Sequence, residues 1–209
     1  MPPGRLISGE GVDGAGKTTV AAALADALRG DGREVALLRE PGGVELSERI
    51  RALVKDPALR VGARAEALLY AAARAQLCEE QLEPLLAAGR WVLLDRFVDS
   101  SLAYQGAGRG LGVKEVRRLN LFGTGGRMPD RTLLLRIEPE AALARAAGRG
   151  EAADRLEGEG RAFFRAIADA YDALAAAEPE RWAVIDAAQP PDAVLRDSLA
   201  AVGLNARGV

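Results

Sequence analysis

The 209-residue sequence contains no histidine, which excludes zinc sites with histidine ligands and Ser-His-Asp catalytic triads. Its single cysteine, Cys78, excludes an internal disulfide framework and is typical of a reducing compartment. Cys78 lies in a helix-like run, where we expect a small buried apolar residue. No run reaches the ~18 apolar residues of a membrane span, and the N-terminus lacks signal-peptide or transit-peptide features. We therefore expect a cytoplasmic protein without a membrane partner.

The sequence also lacks a strong excess of charge of either sign. Its 28 basic and 30 acidic residues give a net charge of −2, so we expect no bulk binding to nucleic acid or to a membrane surface. The length is typical of a single domain, which we place at 1–209, with a short lid at about 145–160.

Short apolar runs alternate with stretches of helical spacing along most of the chain. The runs predict strands at Arg5–Ser8, Glu34–Leu38, Trp91–Leu94, Arg131–Ile137 and Trp182–Ile185. The stretches predict helices at Val20–Leu28, Leu46–Val54, Ala63–Ala88, Val113–Phe122, Pro139–Ala147, Ala162–Ala177 and Pro191–Val202. This alternation indicates an α/β fold with a mostly parallel sheet covered on both faces, in which ligands bind beyond the carboxyl ends of the strands.

Two further local features can be read from proline and glycine. Pro84 should bend or end the third helix, because proline disrupts helical hydrogen bonding. The Gly- and Arg-rich stretches Gln105–Gly112 and Gly148–Gly160 are predicted to be mobile functional loops.

The first strand is followed by a phosphate-binding motif, Gly11-Val12-Asp13-Gly14-Ala15-Gly16-Lys17-Thr18, which matches G-x-x-x-x-G-K-[ST] without a mismatch. Glycines let successive backbone N–H groups surround phosphates, and the helix that follows adds its positive N-terminal dipole. Lys17 is predicted to reach the β- and γ-phosphates, and the Thr18 hydroxyl to ligate Mg²⁺. The motif predicts binding of a nucleoside triphosphate, but switches, motors, transporters and kinases all share it.

Two motifs at later strand ends carry further candidates. Asp95-Arg96-Phe97 places a carboxylate for Mg²⁺ beside an arginine that can grip a phosphate with two hydrogen bonds. Arg39-Glu40-Pro41-Gly42-Gly43 is a rigid turn at the end of the second strand. Tyr70 and Arg74 are four residues apart on one helix face, where they could hold a base, although a core tyrosine and a solvated arginine would explain them as well.

Taken together, these motifs resemble those of the thymidylate kinase family. The likeness runs from Leu6 to about Ala201 and includes R-E-P-G-G, D-R-F and S-S-L-A-Y-Q-G. It implies a P-loop fold with strand order 2-3-1-4-5, ATP as phosphoryl donor, Mg²⁺, thymidine monophosphate (dTMP) as acceptor, and a homodimer packed through helices. Two positions depart from the pattern: Val44 replaces a threonine, and Arg136 stands where many relatives carry an acid.

The resemblance also implies roles for individual residues. In the acceptor site it implies Tyr70 against thymine, Arg74 on the carbonyl edge of the base, Arg51 on the monophosphate, Asp13 near the 3′-hydroxyl, and Tyr104 under the deoxyribose, with Arg96, Ser101 and Gln105 beside them. In the donor site it implies the loop from Gly11 to Thr19, Arg145 stacked on adenine, and Gln189 in the loop that borders it.

The origin of the catalytic cations also follows from the resemblance. Gly14 stands where one branch of the family has an arginine, so the resemblance implies catalytic arginines in the lid, at Arg149 and Arg155. Lys17, Arg96 and Asp13 complete the predicted catalytic group.

Two other functions share parts of this pattern. Another P-loop nucleoside monophosphate kinase would have the same phosphate loop without the three later motifs. A nucleotide-dependent switch would need a guanine-reading N-K-x-D, which does not occur in the sequence. The sequence therefore favours transfer of the γ-phosphoryl group of ATP to dTMP. The apolar face of the helix at 63–88 could serve either a dimer or the core.

Overall fold

A parallel five-stranded sheet forms the centre of the computed structural model, which describes residues 4–148, 155–156 and 158–204, with the backbone alone at 146 and 147. The strands are β1 (Arg5–Glu10), β2 (Val35–Arg39), β3 (Trp91–Asp95), β4 (Arg131–Arg136) and β5 (Trp182–Asp186). Their order is β2-β3-β1-β4-β5, and each observed pairing is parallel. This order confirms the prediction.

Each strand ends on a charged residue, at the edge where ligands of such sheets bind. The pairing register places Asp95 beside Gly9 on one side and Arg39 on the other. The predicted strands mostly stopped one or two residues short of these charged ends, because the apolar pattern stops where the side chains reach solvent or the site. The backbone ladder continues past that point.

Helices flank the sheet. They are α1 (Lys17–Gly30), α2 (Glu45–Lys55), α3 (Ala63–Leu77), α4 (Glu83–Ala87), α5 (Val98–Ser101), α6 (Val113–Gly123), α7 (Pro139–Ala147), α8 (Arg161–Ala177) and α9 (Pro191–Ala201). Helix α1 packs against α9, β2 and β3. Helix α8 packs against β4 and β5, and α6 packs against α3.

The helix predicted at 63–88 does not end at Pro84. A π-helical turn at Cys78–Leu82 joins α3 to α4, and Pro84 lies in the first turn of α4. The wider turn fits the proline, because its ring lacks an N–H and would crowd the carbonyl four residues earlier in a regular helix. Most of the apolar face is core: Leu77, Cys78 and Leu82 are buried.

The prediction of a mobile loop at Gln105–Gly112 is wrong for its first half. A π-helical segment at Leu102–Gly108 continues α5, and Gln105 and Gly106 are buried. Its glycines provide close packing instead of mobility. A Cβ on Gly106 would lie 3.1 Å from the Val113 Cα, and one on Gly108 would lie 2.7 Å from the Phe163 ring.

The core confirms the interpretation of Cys78 as a small buried residue. Burial raises the pKa of its thiol to about 12, so the side chain stays in its unreactive thiol form. None of the described helices is long and apolar enough to cross a bilayer.

Arg136, for which the sequence offered no explanation, has a partner on α8. Its guanidinium binds Asp172 with Nε donating to Oδ1 at 2.9 Å and Nη2 donating to Oδ2 at 2.9 Å. Both side chains are about half exposed, so we expect this pair to contribute little stability, about 1 kcal/mol or less.

Candidate active site

The phosphate loop, residues 11–18, connects β1 to α1 and places its backbone N–H groups at a helix N-terminus. Gly11, Gly14 and Gly16 have positive φ angles of 136°, 86° and 92°, a region that glycine enters without steric cost. Gly16 is the N-cap of α1, so the helix begins at Lys17 and not at the predicted Val20. The loop therefore has the concave backbone that an anion requires.

Gly14 also has no room for a side chain. A Cβ at this position would lie 2.1 Å from the carbonyl oxygen of Ala142 in α7. Because α7 approaches this closely, the loop can carry no long cation at position 14 in the observed backbone. Additional positive charge for the phosphates has to come from other elements.

Lys17 is buried next to the loop, with 8% of its surface exposed. Its ammonium donates to the carbonyl of Val12 at 2.9 Å and lies 4.0 Å from the Asp13 carboxylate. Burial, together with the nearby Arg96 guanidinium, lowers the pKa of Lys17 to about 8. An arriving phosphate would offer this amine a stronger partner than a neutral carbonyl.

Thr18 and Asp95 form the predicted metal pair. The Thr18 hydroxyl donates to Oδ2 of Asp95 at 2.5 Å, so two oxygen ligands lie side by side at the end of β3. This pair fits Mg²⁺, which prefers oxygen and is bound through a few protein ligands together with phosphates and water. Among the described residues no cluster of three or more acidic, cysteine or histidine side chains forms a metal site.

Arg96 connects the phosphate loop to the helical segments beyond β3. It has a left-handed backbone with φ 73°, which is strained for a residue other than glycine. Its guanidinium donates to the Gly11 carbonyl at 3.1 Å, to the Tyr104 hydroxyl at 3.1 Å, and to Asp13. The Tyr104 hydroxyl in turn donates to Oδ2 of Asp13 at 3.0 Å.

The environment of Asp13 fixes its charge. Burial alone would raise its pKa, but the Arg96 and Lys17 charges and the hydrogen bond from Tyr104 outweigh burial and hold the pKa well below its usual range. Asp13 is therefore an anion throughout the physiological range of pH, and it orients both neighbouring cations.

A single cleft of about 850 Å³ brings most of the predicted residues together. It extends from the phosphate loop to side chains of α3 and of the π-helical segment at Leu102–Gly108. Its lining includes Asp13, Gly14, Gly16, Lys17, Thr18, Thr19, Arg51, Tyr70, Arg74, Asp95, Arg96, Ser101, Tyr104 and Gln105. Predicted donor-side and acceptor-side residues thus share one cavity.

Arg74 lines this cleft, but it is also the centre of a buried network. Its Nε donates to Glu40 at 2.7 Å, Nη1 to Ser101 at 2.9 Å and to Asn120, and Nη2 to the Phe97 carbonyl at 2.9 Å. Nη2 also pairs with Glu40 at 2.6 Å. The guanidinium therefore uses its five N–H groups within the protein, a structural role that the sequence did not predict.

Glu40 is a site residue whose chemistry sequence reasoning missed. It is 6% exposed, and burial raises its pKa while the Arg74 charge opposes that rise. Its Oε1 has no hydrogen-bond partner among the described residues, and the residue lines the cleft. A buried oxygen without a donor at a cleft wall can accept a hydrogen bond from a ligand.

Glu10, at the end of β1, was also missed. It accepts hydrogen bonds from the Phe97 N–H at 2.8 Å, the Ser100 hydroxyl at 2.5 Å and the Tyr171 hydroxyl at 3.0 Å. Burial, with the negative charge of Asp99, raises its pKa to about 7. Only the true length of β1 would have shown that this acid points into the protein.

Arg145 and Gln189 both lie outside the main cleft, near the end of β5. Arg145 donates to the carbonyl of Ala187 at 2.9 Å, and Gln189 donates to the carbonyl of Asp186 at 3.2 Å. Both side chains thus border the loop after β5. Gly11, Val12 and Ala15 belong to the phosphate loop but do not line the main cleft.

Of the two predicted lid arginines, Arg149 lies outside the described residues. Arg155 is 11% exposed; its Nε donates to the Val54 carbonyl at 2.9 Å, and its Nη2 pairs with the buried Glu66 at 2.7 Å. Arg155 does not line the cleft of the phosphate loop in this structure.

The lowered pKa of Lys17 gives a prediction about pH. The side chain is charged below about pH 8 and loses its proton above it, so the kcat/KM for the triphosphate should fall above pH 8 by about tenfold per pH unit. Steady-state rates between pH 6.5 and 10 test this. Lys17→Arg, whose charge persists above pH 12, should be slower but show no such fall. A wild-type profile that is flat to pH 10 would contradict it.

Comparison with known proteins places these features in a family. The sequence model of the family described as "Thymidylate kinase" matches residues 10–197. The thymidylate kinase of Deinococcus radiodurans is 47% identical over 202 residues, covering 97% of this chain and 98% of that protein. That of Lactobacillus delbrueckii subsp. bulgaricus is 48% identical over 189 residues, 89% of each.

A solved structure agrees with these sequence relatives. The crystal structure of thymidylate kinase from Ehrlichia chaffeensis superposes with a TM-score of 0.79 at 28% identity, covering 97% of this chain and 100% of that chain. A family model that spans most of the chain, relatives that match nearly end to end, and the same fold lead to one conclusion. The chain belongs to the thymidylate kinase family.

Proposed function

We propose that the protein transfers the γ-phosphoryl group of ATP to dTMP, giving dTDP and ADP. The observation that carries this proposal is the shared cleft, in which the phosphate loop and the predicted acceptor residues face one cavity. Phosphoryl transfer depends mostly on positioning and charge, so the two phosphates must approach in line within one enclosed site.

The cations around the cleft support this role. Lys17 lies at the phosphate loop, Arg96 lies between the loop and Tyr104, and Arg51 lines the cleft while donating to the Pro41 carbonyl at 2.9 Å. An acceptor monophosphate is already an anion at neutral pH, so the reaction needs no strong general base. We assign Lys17 and Arg96 to the transferring phosphates and Arg51 to the acceptor phosphate.

The acceptor base would lie between Tyr70 and the polar wall of Arg74, Ser101 and Gln105. In this wall Arg74, whose N–H groups are used within the protein, contributes its charge, and Ser101 and Gln105 contribute hydrogen bonds. Tyr70 offers a flat aromatic surface, and the wall offers hydrogen-bonding groups in a buried setting. Asp13, in the phosphate loop, accepts from the Tyr104 hydroxyl, and this pair would contact the sugar that joins base to phosphate.

Thr18 and Asp95 would hold Mg²⁺ against the phosphates of ATP. When bound, this cation neutralises charge that develops on the phosphate oxygens during transfer. Arg145 and Gln189 would border the adenine.

A coupled assay of ADP release tests the function directly. We expect the highest kcat/KM for dTMP when dTMP, dUMP, dCMP, AMP, GMP and UMP are compared with ATP as donor. A preference for adenylate, guanylate or cytidylate would contradict the proposal, and so would ATP hydrolysis that no monophosphate stimulates.

The lid, about 145–160, should supply a further cation, because position 14 cannot. We assign this role to Arg149, since Arg155 is held by Glu66 and the Val54 carbonyl. Arg149→Ala should lower the single-turnover rate by roughly 10³-fold or more with little change in substrate affinity. Arg155→Ala, which removes one of the cations paired with the buried Glu66, should change the single-turnover rate far less. If Arg155→Ala instead shows the larger loss of rate, Arg155 leaves Glu66 during the reaction and is the catalytic arginine.

We also propose that the protein acts as a cytoplasmic homodimer. Support comes from exposed apolar residues on neighbouring helices: Leu53 of α2, Leu68 of α3 and Phe122 of α6, the last 90% exposed. Pairing with a second copy would remove this surface from water. Sedimentation equilibrium should give twice the mass of the chain, and Phe122→Asp should shift the equilibrium to the monomer. A monomeric wild type at assay concentrations would contradict the dimer.

A further inference from the structure

Glu66 lies on α3 with none of its side chain exposed, yet it is not part of the site described above. Its Oε1 accepts from Nε2 of Gln105 at 2.8 Å and from Nε of Arg109 at 3.3 Å. Its Oε2 accepts from Nη2 of Arg109 at 3.1 Å and from Nη2 of Arg155 at 2.7 Å. Each oxygen therefore has two donors, and the buried carboxylate is fully hydrogen bonded.

The charges around Glu66 also balance. Arg109 forms a second ion pair with Glu159 at 2.5 Å, so two arginines face two carboxylates. The guanidinium of Arg109 additionally lies over the Phe163 ring, 4.7 Å from its centre. A buried carboxylate is costly unless it is paired, so these ion pairs offset the burial of Glu66 and fix the side chain in place.

Gln105 connects this cluster to the cleft. It is 2% exposed, lines the cleft, and uses an N–H of its amide on Glu66. A carboxylate can only accept hydrogen bonds, so the amide cannot turn its carbonyl toward Glu66 without placing two acceptors against each other. Glu66 thus decides which end of the Gln105 amide is left for other partners. Among the described residues, no hydrogen bond reaches the side-chain Oε1 of Gln105, whereas its backbone carbonyl accepts from the Leu111 N–H at 3.3 Å.

Ser101, one helical turn before Gln105, offers a hydrogen-bond donor to the cleft instead of an acceptor. Its hydroxyl oxygen accepts from Arg74 Nη1 at 2.9 Å, and an arginine can only donate. The Ser101 hydroxyl proton remains available for donation. The cleft wall thus offers a donor at Ser101 and an acceptor at Gln105, a pattern that suits a ring N–H next to a carbonyl.

We propose that Glu66 is a positioning residue for base specificity: it locks the Gln105 amide so that its carbonyl selects a base with N3–H. Thymine and uracil have this hydrogen, whereas cytosine has an unprotonated N3 and an exocyclic amine beside it. The proposal rests on the proposed function, because it concerns the acceptor site of that reaction. It assigns no contact with substrate to Glu66, which acts only through Gln105.

Glu66→Gln tests the lock. An amide at position 66 can donate or accept, so the Gln105 amide becomes free to rotate by half a turn. We expect the ratio of kcat/KM for dTMP to that for dCMP to fall roughly tenfold, the effect of one hydrogen bond that is no longer enforced. The KM for ATP should stay at its wild-type value. A purely structural role would lower both acceptors equally and leave the ratio unchanged.

Arg109→Met is the matched control. It removes a cation from the same carboxylate while leaving the hydrogen bond between Glu66 and Gln105, so the ratio should keep its wild-type value. Gln105→Met removes the amide and should lower the ratio, and in that background Glu66→Gln should cause no further fall. If Glu66→Gln alone does not fold, the double variant Glu66→Gln/Arg109→Met can be used, because it removes one negative and one positive charge from the same cluster. Its dTMP-to-dCMP ratio is then compared with the ratio of Arg109→Met.

The possible failures can be told apart. If the proposed function is wrong, the wild type itself releases no ADP in response to dTMP. If the wild type is active but the ratio is unchanged in folded Glu66→Gln, or in Gln105→Met, the proposal for Glu66 is overturned. Far-UV circular dichroism and thermal melting establish that each variant is folded before its ratio is measured.

Discussion

The ion pair between Arg96 and Asp13 is the contact on which the geometry of the cleft depends. It joins the phosphate loop to the segment that follows β3, and the Tyr104 hydroxyl bonds to both partners. Arg96 adopts a strained left-handed backbone to make this contact, and its N–H still bonds to the Gly9 carbonyl at 3.0 Å. Strain of this kind persists only where the surroundings fix the residue from several sides. Through this pair, one constraint sets the distance between the phosphate loop and the segment that follows β3.

A second theme is the number of buried acids behind the cleft. Glu10, Glu40, Glu66 and Asp99 are all nearly or completely buried, and each has cationic or hydroxyl partners from another element. Each buried acid therefore fixes the relative positions of at least two elements, since separating the partners would leave a charge unpaired. The cleft is rigid at its base because these networks, and not apolar contacts alone, connect the carboxyl ends of the strands.

The sequence predicts this fold and the residues that line the cleft to a large extent, but not the contacts behind them. The phosphate loop could be predicted because its chemistry depends on neighbours in the chain, and the strands because parallel strands are uniformly apolar. The partners of Glu66, Glu10 and Arg74 could not, because they come from residues 23 to 161 positions away. A charged residue in a helix normally indicates solvent. The prediction of a mobile loop at Gln105–Gly112 is wrong at Gly106 and Gly108 for a similar reason: the sequence does not show what packs against a glycine.

The contact at Gly14 has a consequence for how this chain can evolve. Moving a phosphate-binding cation into the loop would require a side chain where the Ala142 carbonyl now lies, 2.1 Å from the position of the first added carbon. Such a substitution is disfavoured until α7 has shifted, and a shift of α7 alone opens an unfilled gap beside the loop. Neither change is advantageous without the other. The two changes would therefore have to occur together, and in this backbone any cation that supplements Lys17 has to come from outside the loop.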